Sequence, residues 1–247
     1  MVSPRRAALV FALMLLLVAP AMADPDPRKQ VDQTSPMWLA AVGKLVIPAT
    51  RIAAGRRQHY REDCSATLVA EPGSPRADII VTAWHCLEFY RDLSKPIVFT
   101  LRYGEDRASA HQARRLEDGG GMHADWAILR LAQAISREDV AAVSLALEEP
   151  GLGGAVSMAG YSRDPGLGAL GERLTYDDSC RLLARHALIA ETDCRAHKGA
   201  SGGAVVASSA GSRQRLLGIV SEGDGRALST FVPTVVFRSR LNRYLAN

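Results

Sequence analysis

The chain has 247 residues, with 30 Lys and Arg against 26 Asp and Glu and a formal net charge of +4. That excess is too small to mark a nucleic-acid binder, and Arg56-Arg57 and Arg114-Arg115 are pairs rather than a basic patch. The length allows one large domain or two small ones around a sizeable core.

Arg5 and Arg6 precede an apolar run from Ala7 to Ala19, and Ala21-Met22-Ala23 fits a small-residue cleavage site. Residues 1–23 therefore read as a signal peptide. The run is too short for a comfortable membrane span, and no later run approaches that length. The expected product is secreted or periplasmic, without a membrane span once the signal is removed. Removal takes Arg5 and Arg6 away and leaves a net charge of +2. Four cysteines in an exported chain suggest two disulfides, with three possible connectivities. No Cys-x-x-Cys occurs, and His59, His85, His111, His123, His186 and His197 lack metal-ligand spacing. No metal or other cofactor is expected.

Residues 24–36 are polar and proline-bearing, and read as a flexible lead or pro-segment. A strand is predicted over Val42–Ile47 and a charged loop over Arg51–Asp63. Cys64–Ala70 and Asp78–Ala83 are predicted strands. Glu71-Pro72-Gly73-Ser74-Pro75 supplies turn chemistry between them, which suggests a hairpin. A Cys64–Cys86 bridge would tie the start of one strand to the end of the other and hold His85 beside the crosslink. Further strands are predicted over Ile97–Tyr103 and over Asp125–Leu131, with Asp125 at the entrance of the latter. Residues 133–150 read as a connection between halves, 37–132 and 151–247. In the second half, strands are predicted over Ala155–Gly160, twice within Cys180–Cys194, at Val205-Val206, over Leu216–Val220 and over Phe231–Val236. Phe237, Leu241 and Tyr244 or Leu245 recur at helical spacing and predict a short C-terminal helix. Many short strands with Gly and Pro turns argue an all-β sandwich or barrel.

Ser201 lies in Gly199-Ala200-Ser201-Gly202-Gly203, ahead of the apolar run Ala204-Val205-Val206. Glycines there let the backbone turn sharply and approach a ligand closely. A hydroxyl so placed can attack a carbonyl while neighbouring N–H groups stabilise the oxyanion. It needs a base, and the base needs an orienting carboxylate. The Gly-x-Ser-x-Gly elbow of α/β-hydrolases places its acid and histidine after the serine, but no histidine follows Ser201. The order that survives is His85, Asp125, Ser201.

Three motifs in that order carry a family resemblance. Thr82-Ala83-Trp84-His85-Cys86, Asp125-Trp126-Ala127-Ile128-Leu129 and Gly199-Ala200-Ser201-Gly202-Gly203 resemble the Thr-Ala-Ala-His-Cys, Asp-Ile-Ala-Leu-Leu and Gly-Asp-Ser-Gly-Gly motifs of chymotrypsin-like serine proteases. The resemblance implies two six-stranded antiparallel β-barrels with the active site between them. It implies a triad of Ser201 (nucleophile), His85 (base, then acid) and Asp125 (orienting carboxylate), with an oxyanion hole from the N–H groups of Gly199 and Ser201. Leu217-Gly218-Ile219-Val220-Ser221-Glu222-Gly223 resembles the family's substrate-pairing strand, which implies substrate contacts at the backbone of Ser221 and Gly223. Cys194, seven residues before Ser201, resembles the V8-like, glutamyl endopeptidase-like branch, which implies Cys180 as its partner.

The chain also departs from the family. Ala200 stands where trypsin has an aspartate that pairs with a freshly cut N-terminus, so trypsin-type activation is not expected. Arg195 stands at the position of the trypsin pocket floor, which speaks against a Lys/Arg preference, and Val220 replaces a histidine of the V8-like branch. Arg195, His197 and Lys198 make the loop basic, a hint of acidic substrate groups. The function expected is an exported serine endopeptidase acting on protein or peptide. The alternative is a catalytically silent protease-fold binding protein.

Overall fold

A computed structural model describes residues 25–207 and 214–246. Residues 1–23, expected to be a signal peptide, lie outside the described residues. None of the helices described is long and apolar enough to cross a membrane.

A two-residue strand, β1 (Lys29–Gln30), precedes two barrels. The first barrel is built from β2 (Val42–Ala53), β3 (Arg56–Val69), β4 (Arg76–Thr82), β5 (Ile97–Leu101), β6 (Ser109–Asp118) and β7 (Ala127–Ser136), closed in the order β2-β3-β4-β7-β6-β5. After a short β8 (Ser144–Leu145) come β9 (Ala155–Gly160), β10 (Thr175–Arg185), β11 (Ala190–Thr192), β12 (Ala204–Ala207), β13 (Arg215–Gly223) and β14 (Ser229–Pro233). These run β10-β11-β14-β13-β12-β9, and the β9–β10 pairing closes the second six-stranded barrel. β1 is added beside β10 and β8 beside β13. The barrel pairings are antiparallel throughout, as the family resemblance implies.

Closure removes the sheet edges that would otherwise offer unpaired backbone groups. Inward residues fill each barrel: Leu45, Ile47, Leu68, Ile80, Phe99 and Leu129 in the first, Val156, Met158, Val205, Leu217 and Phe231 in the second. The helix α1 (Thr234–Leu245) crosses back to the first barrel. Phe237 stacks on Trp126 with centroids 5.5 Å apart, and Arg240 and Arg243 each reach Glu117 at 2.8 Å. The residue next to Asp125 is thereby clamped between the two halves.

Several boundaries differ from the sequence reading. The charged stretch 51–63 is not a loop: β2 and β3 pair continuously from Val42↔Thr67 to Ala53↔Arg56. The hairpin turns at Ala54 and Gly55, with φ of +50° and +72°, the two-residue turn whose twist suits a hairpin. Its outer half is largely exposed, so backbone pairing rather than apolar burial holds it. β6 leaves no strand signal in the sequence because, of its ten residues, only Ala113 is buried. β7 runs on to Ser136, past residue 132. The last strand stops at Pro233 and the helix begins at Thr234, because Pro233 has no N–H to continue the ladder.

Candidate active site

His85 lies on a single 3-10 turn, Trp84–Leu87, directly after β4. The Cys64–Cys86 disulfide joins this turn to β3. Asp125 precedes β7, next to β4 in the barrel, so pairing of Thr82 with Ala127 brings the two side chains together. Asp125 is 1% exposed. Its Oδ1 accepts the His85 backbone N–H at 2.9 Å, and its Oδ2 meets His85 Nδ1 at 2.9 Å. Ser221 Oγ donates to the same Oδ2 at 2.5 Å. A buried carboxylate is tolerated when donors surround it in this way.

Burial alone would push the Asp125 carboxyl up, but His85 and Ser221 together hold it below the usual carboxylate range. Burial disfavours a charged His85. The hydrogen bond and charge of Asp125, with Glu222 and Glu62 beyond, outweigh that and raise the imidazole above its ordinary value. The carboxylate therefore stabilises an imidazolium whenever one forms.

Ser201 comes from the second barrel, in the turn before β12. Gly202 has φ +79°, and a Cβ there would lie 2.1 Å from Thr82 Oγ1 and 2.3 Å from Ser65 O. Only glycine lets the Ser201 loop sit this close to the first barrel. Ser65 N–H donates to Ser201 O at 2.8 Å, and Ser201 O lies 3.9 Å from Cys86 Sγ. Ser201 and His85 line one cleft of about 620 Å³ between the barrels. The Ser201 hydroxyl donates at 3.3 Å to the Ser221 carbonyl, not to the imidazole. Ser221 sits where the β13–β14 pairing shifts register, between Val220 and Glu222.

The turn before Ser201 is fixed from behind. Ala200 N–H donates to His197 O at 3.0 Å and Gly199 has φ +95°, the geometry of a type II turn with glycine at its third position. Lys198 O accepts the Arg163 N–H at 2.6 Å. In a planar trans peptide the N–H points opposite to the C=O, so the Gly199 N–H faces away from Arg163. Gly199 O accepts from Ser65 Oγ at 2.8 Å, and Ser65 Oγ also accepts Tyr161 N–H at 2.8 Å. Among the described residues, neither the Gly199 nor the Ser201 N–H has an acceptor.

Gly223 ends β13 on the cleft wall, and Ser221 to Gly223 line it with Glu222. His197 and Lys198 also line the cleft, opposed in charge by Glu222 and Asp224. Arg195 is engaged away from it: its Nε donates to Arg226 O at 2.5 Å and its Nη1 lies 3.7 Å from Asp26. The basic character expected of this loop is thus only partly presented to the cleft. The second disulfide joins Cys180 to Cys194. Donor atoms of Cys64, His85 and Cys86 gather within 4.8 Å, but the disulfide consumes both thiolates that a metal would require.

Sequence reasoning did not single out Ser65, nor the hydroxyl of Ser221. A polar residue inside the apolar run Cys64–Ala70 was the available signal for Ser65, which is fully buried.

The trypsin-like peptidase domain model matches residues 64–219, and the chain belongs to that family. With the two closed barrels, this makes it a serine endopeptidase of trypsin-like fold. Among solved structures it is similar to the protease Anisep from Arthrobacter nicotinovorans, at 18% identity and a TM-score of 0.64, covering 86% of this chain and 99% of that one. It is similar to the thermostable serine protease AL20 from an extremophilic microorganism, at 18% and 0.64, covering 86% and 100%. A Glu endopeptidase in complex with MPD gives 17% and 0.65, covering 91% and 99%. At these identities the likeness is one of fold. No curated protein matches the chain.

Proposed function

We propose that the chain is an exported serine endopeptidase in which Ser201, His85 and Asp125 form the catalytic triad. The observation that carries this reading is the Asp125–His85 pair, 2.9 Å long, facing the cleft that Ser201 also lines. A substrate strand lies along Ser221–Gly223 and adds its backbone to that edge. Its N–H takes the Ser221 carbonyl that now holds the Ser201 hydroxyl. The hydroxyl then turns about its Cα–Cβ bond toward His85 Nε2. Catalytic hydrogen bonds commonly tighten only when substrate is bound.

Ser201 Oγ attacks the peptide carbonyl as His85 takes its proton. Asp125 accepts Nδ1–H throughout, which fixes the tautomer and stabilises the imidazolium. The N–H groups of Gly199 and Ser201 bind the oxyanion. Collapse expels the amine, which takes the proton from His85 and leaves an acyl-enzyme. Water, deprotonated by the same imidazole, then releases the acid and restores Ser201.

Export is supported by the signal-like residues 1–23 and by two disulfides, which persist in oxidising compartments. The two barrels support a division into 37–132 and 151–247 joined by 133–150, with β7 carrying the first barrel on to Ser136. Peptide-library hydrolysis by the mature protein tests the reading, with Ser201→Ala as control. The expected result is cleavage by the parent and none by the variant. Peptide binding without turnover, unchanged in Ser201→Ala, would instead identify a silent protease-fold binding protein.

A further inference from the structure

The segment ahead of the first barrel is docked rather than trailing. Lys29 and Gln30 pair with Tyr176 and Thr175 of β10, Gln30 Nε2 donates to Leu167 O at 2.9 Å, and Lys29 Nζ meets Asp178 at 2.8 Å. Between these ties and the barrel wall sits Arg28, whose side chain is only 3% exposed. Its Nε and Nη2 donate to the Asp26 carboxylate at 3.0 and 2.6 Å, and its Nη1 donates to Asp164 Oδ1 at 2.8 Å. A guanidinium removed from water is held only where carboxylates meet its donors.

Asp164 belongs to the loop behind the oxyanion turn. Its Oδ2 accepts the Gly168 N–H at 3.2 Å, which stiffens that loop. Arg163, the residue before it, is the one whose N–H holds Lys198 O at 2.6 Å. The ion pair of Arg28 and the peptide that aims the Gly199 N–H are thus one residue apart. A second tie runs from Asp26 to Arg195, two residues before His197. Ala200, for its part, offers no carboxylate with which the turn could anchor itself.

We infer that Arg28 is a positioning residue for the oxyanion turn. Residues 25–30 act as a built-in brace, in which an internal guanidinium does from outside what the Ala200 side chain cannot do from within. The inference rests on the reading of Ser201 as nucleophile and Gly199 N–H as oxyanion donor. It assigns Arg28 no contact with substrate: its effect travels through Asp164 and the Arg163 N–H.

The test compares the mature parent with Arg28→Met, Arg28→Lys and Asp164→Asn, each checked for fold by thermal melting and circular dichroism. Three quantities are read: kcat and KM on a peptide substrate, affinity for a peptide boronate that mimics the oxyanion, and peptide binding in a Ser201→Ala background. Arg28→Met and Asp164→Asn are expected to lower kcat and boronate affinity by about 10- to 100-fold, since losing an oxyanion donor costs about 10²–10³ and this turn is loosened, not deleted. KM and peptide binding stay within about threefold, and Arg28→Lys recovers much of kcat. A folded Arg28→Met or Asp164→Asn with parental kcat and boronate affinity overturns the inference. So does a loss that falls equally on peptide binding. An inactive parent that binds no boronate overturns the triad reading instead.

Discussion

Ser221 Oγ and Asp125 Oδ2 lie 2.5 Å apart, on the same carboxylate oxygen that meets His85 Nδ1. The second barrel thus donates directly to the orienting carboxylate of the first. Removing that donor by Ser221→Ala leaves a buried carboxylate with one partner fewer. A hydrogen bond to a charged group contributes about 1.5–3 kcal/mol, so kcat/KM should fall about tenfold or more. The carboxylate's charge is then concentrated on His85, so the acidic limb of the pH–rate profile should move to higher pH. Steady-state kinetics across pH reads both effects.

Asp125→Asn removes the charge that raises the imidazole. It should cost about 10⁴ in kcat, because the amide favours the wrong tautomer. The parent needs neutral His85, whose pKa lies above its ordinary 6.5, so kcat/KM should rise with pH through a midpoint above 6.5. In Asp125→Asn the midpoint should drop. The stability sign follows from the same shifts. The raised His85 pKa contributes stability that is full below its unfolded value and is lost as pH rises through the folded value. The lowered Asp125 pKa contributes stability present above its ordinary 3.8 and lost as pH falls through the folded value. Urea midpoints measured from pH 3 to pH 9 should trace both losses.

Ser65→Ala leaves the Tyr161 N–H and the Gly199 C=O without the hydroxyl that joins them. Each buried unsatisfied group costs about 1–3 kcal/mol, so with two of them the unfolding free energy should fall by about 2–6 kcal/mol. Because Gly199 bears the proposed oxyanion donor, kcat should fall as well. Urea unfolding with parallel kinetics checks both.

Gly199→Ala places a methyl 2.5 Å from Tyr161 O and 2.9 Å from Arg163 Cγ, at φ +95°. The turn can accept it only by rotating the peptides on either side. The expected loss is about 10²–10³ in kcat, with boronate affinity falling in step. Unchanged boronate affinity would show that Gly199 is not a donor.

Much of the architecture was readable in the residues because apolar alternation marks strands that bury one face. Where burial is absent the signal vanished: the outer β2–β3 hairpin and β6 are held by backbone ladders, which leave little trace in side-chain pattern. His85, Asp125 and Ser201 each stand inside a short motif whose chain order excluded other serine hydrolases. Ser65 and Arg28 are different. Each acts through long-range partners, Gly199 and Tyr161 for one and Asp164 for the other, and nothing local to either residue announces them. The polar, proline-bearing composition around Arg28 suggested a lead, while the fold buries its guanidinium.

The central claim is tested most directly by treating the mature protein with a fluorophosphonate and locating the adduct by peptide mass spectrometry. The account predicts one stoichiometric adduct on Ser201, lost in Ser201→Ala and greatly slowed in His85→Ala. Folded, disulfide-bonded protein that takes up no label, or takes it up on another residue, would contradict it.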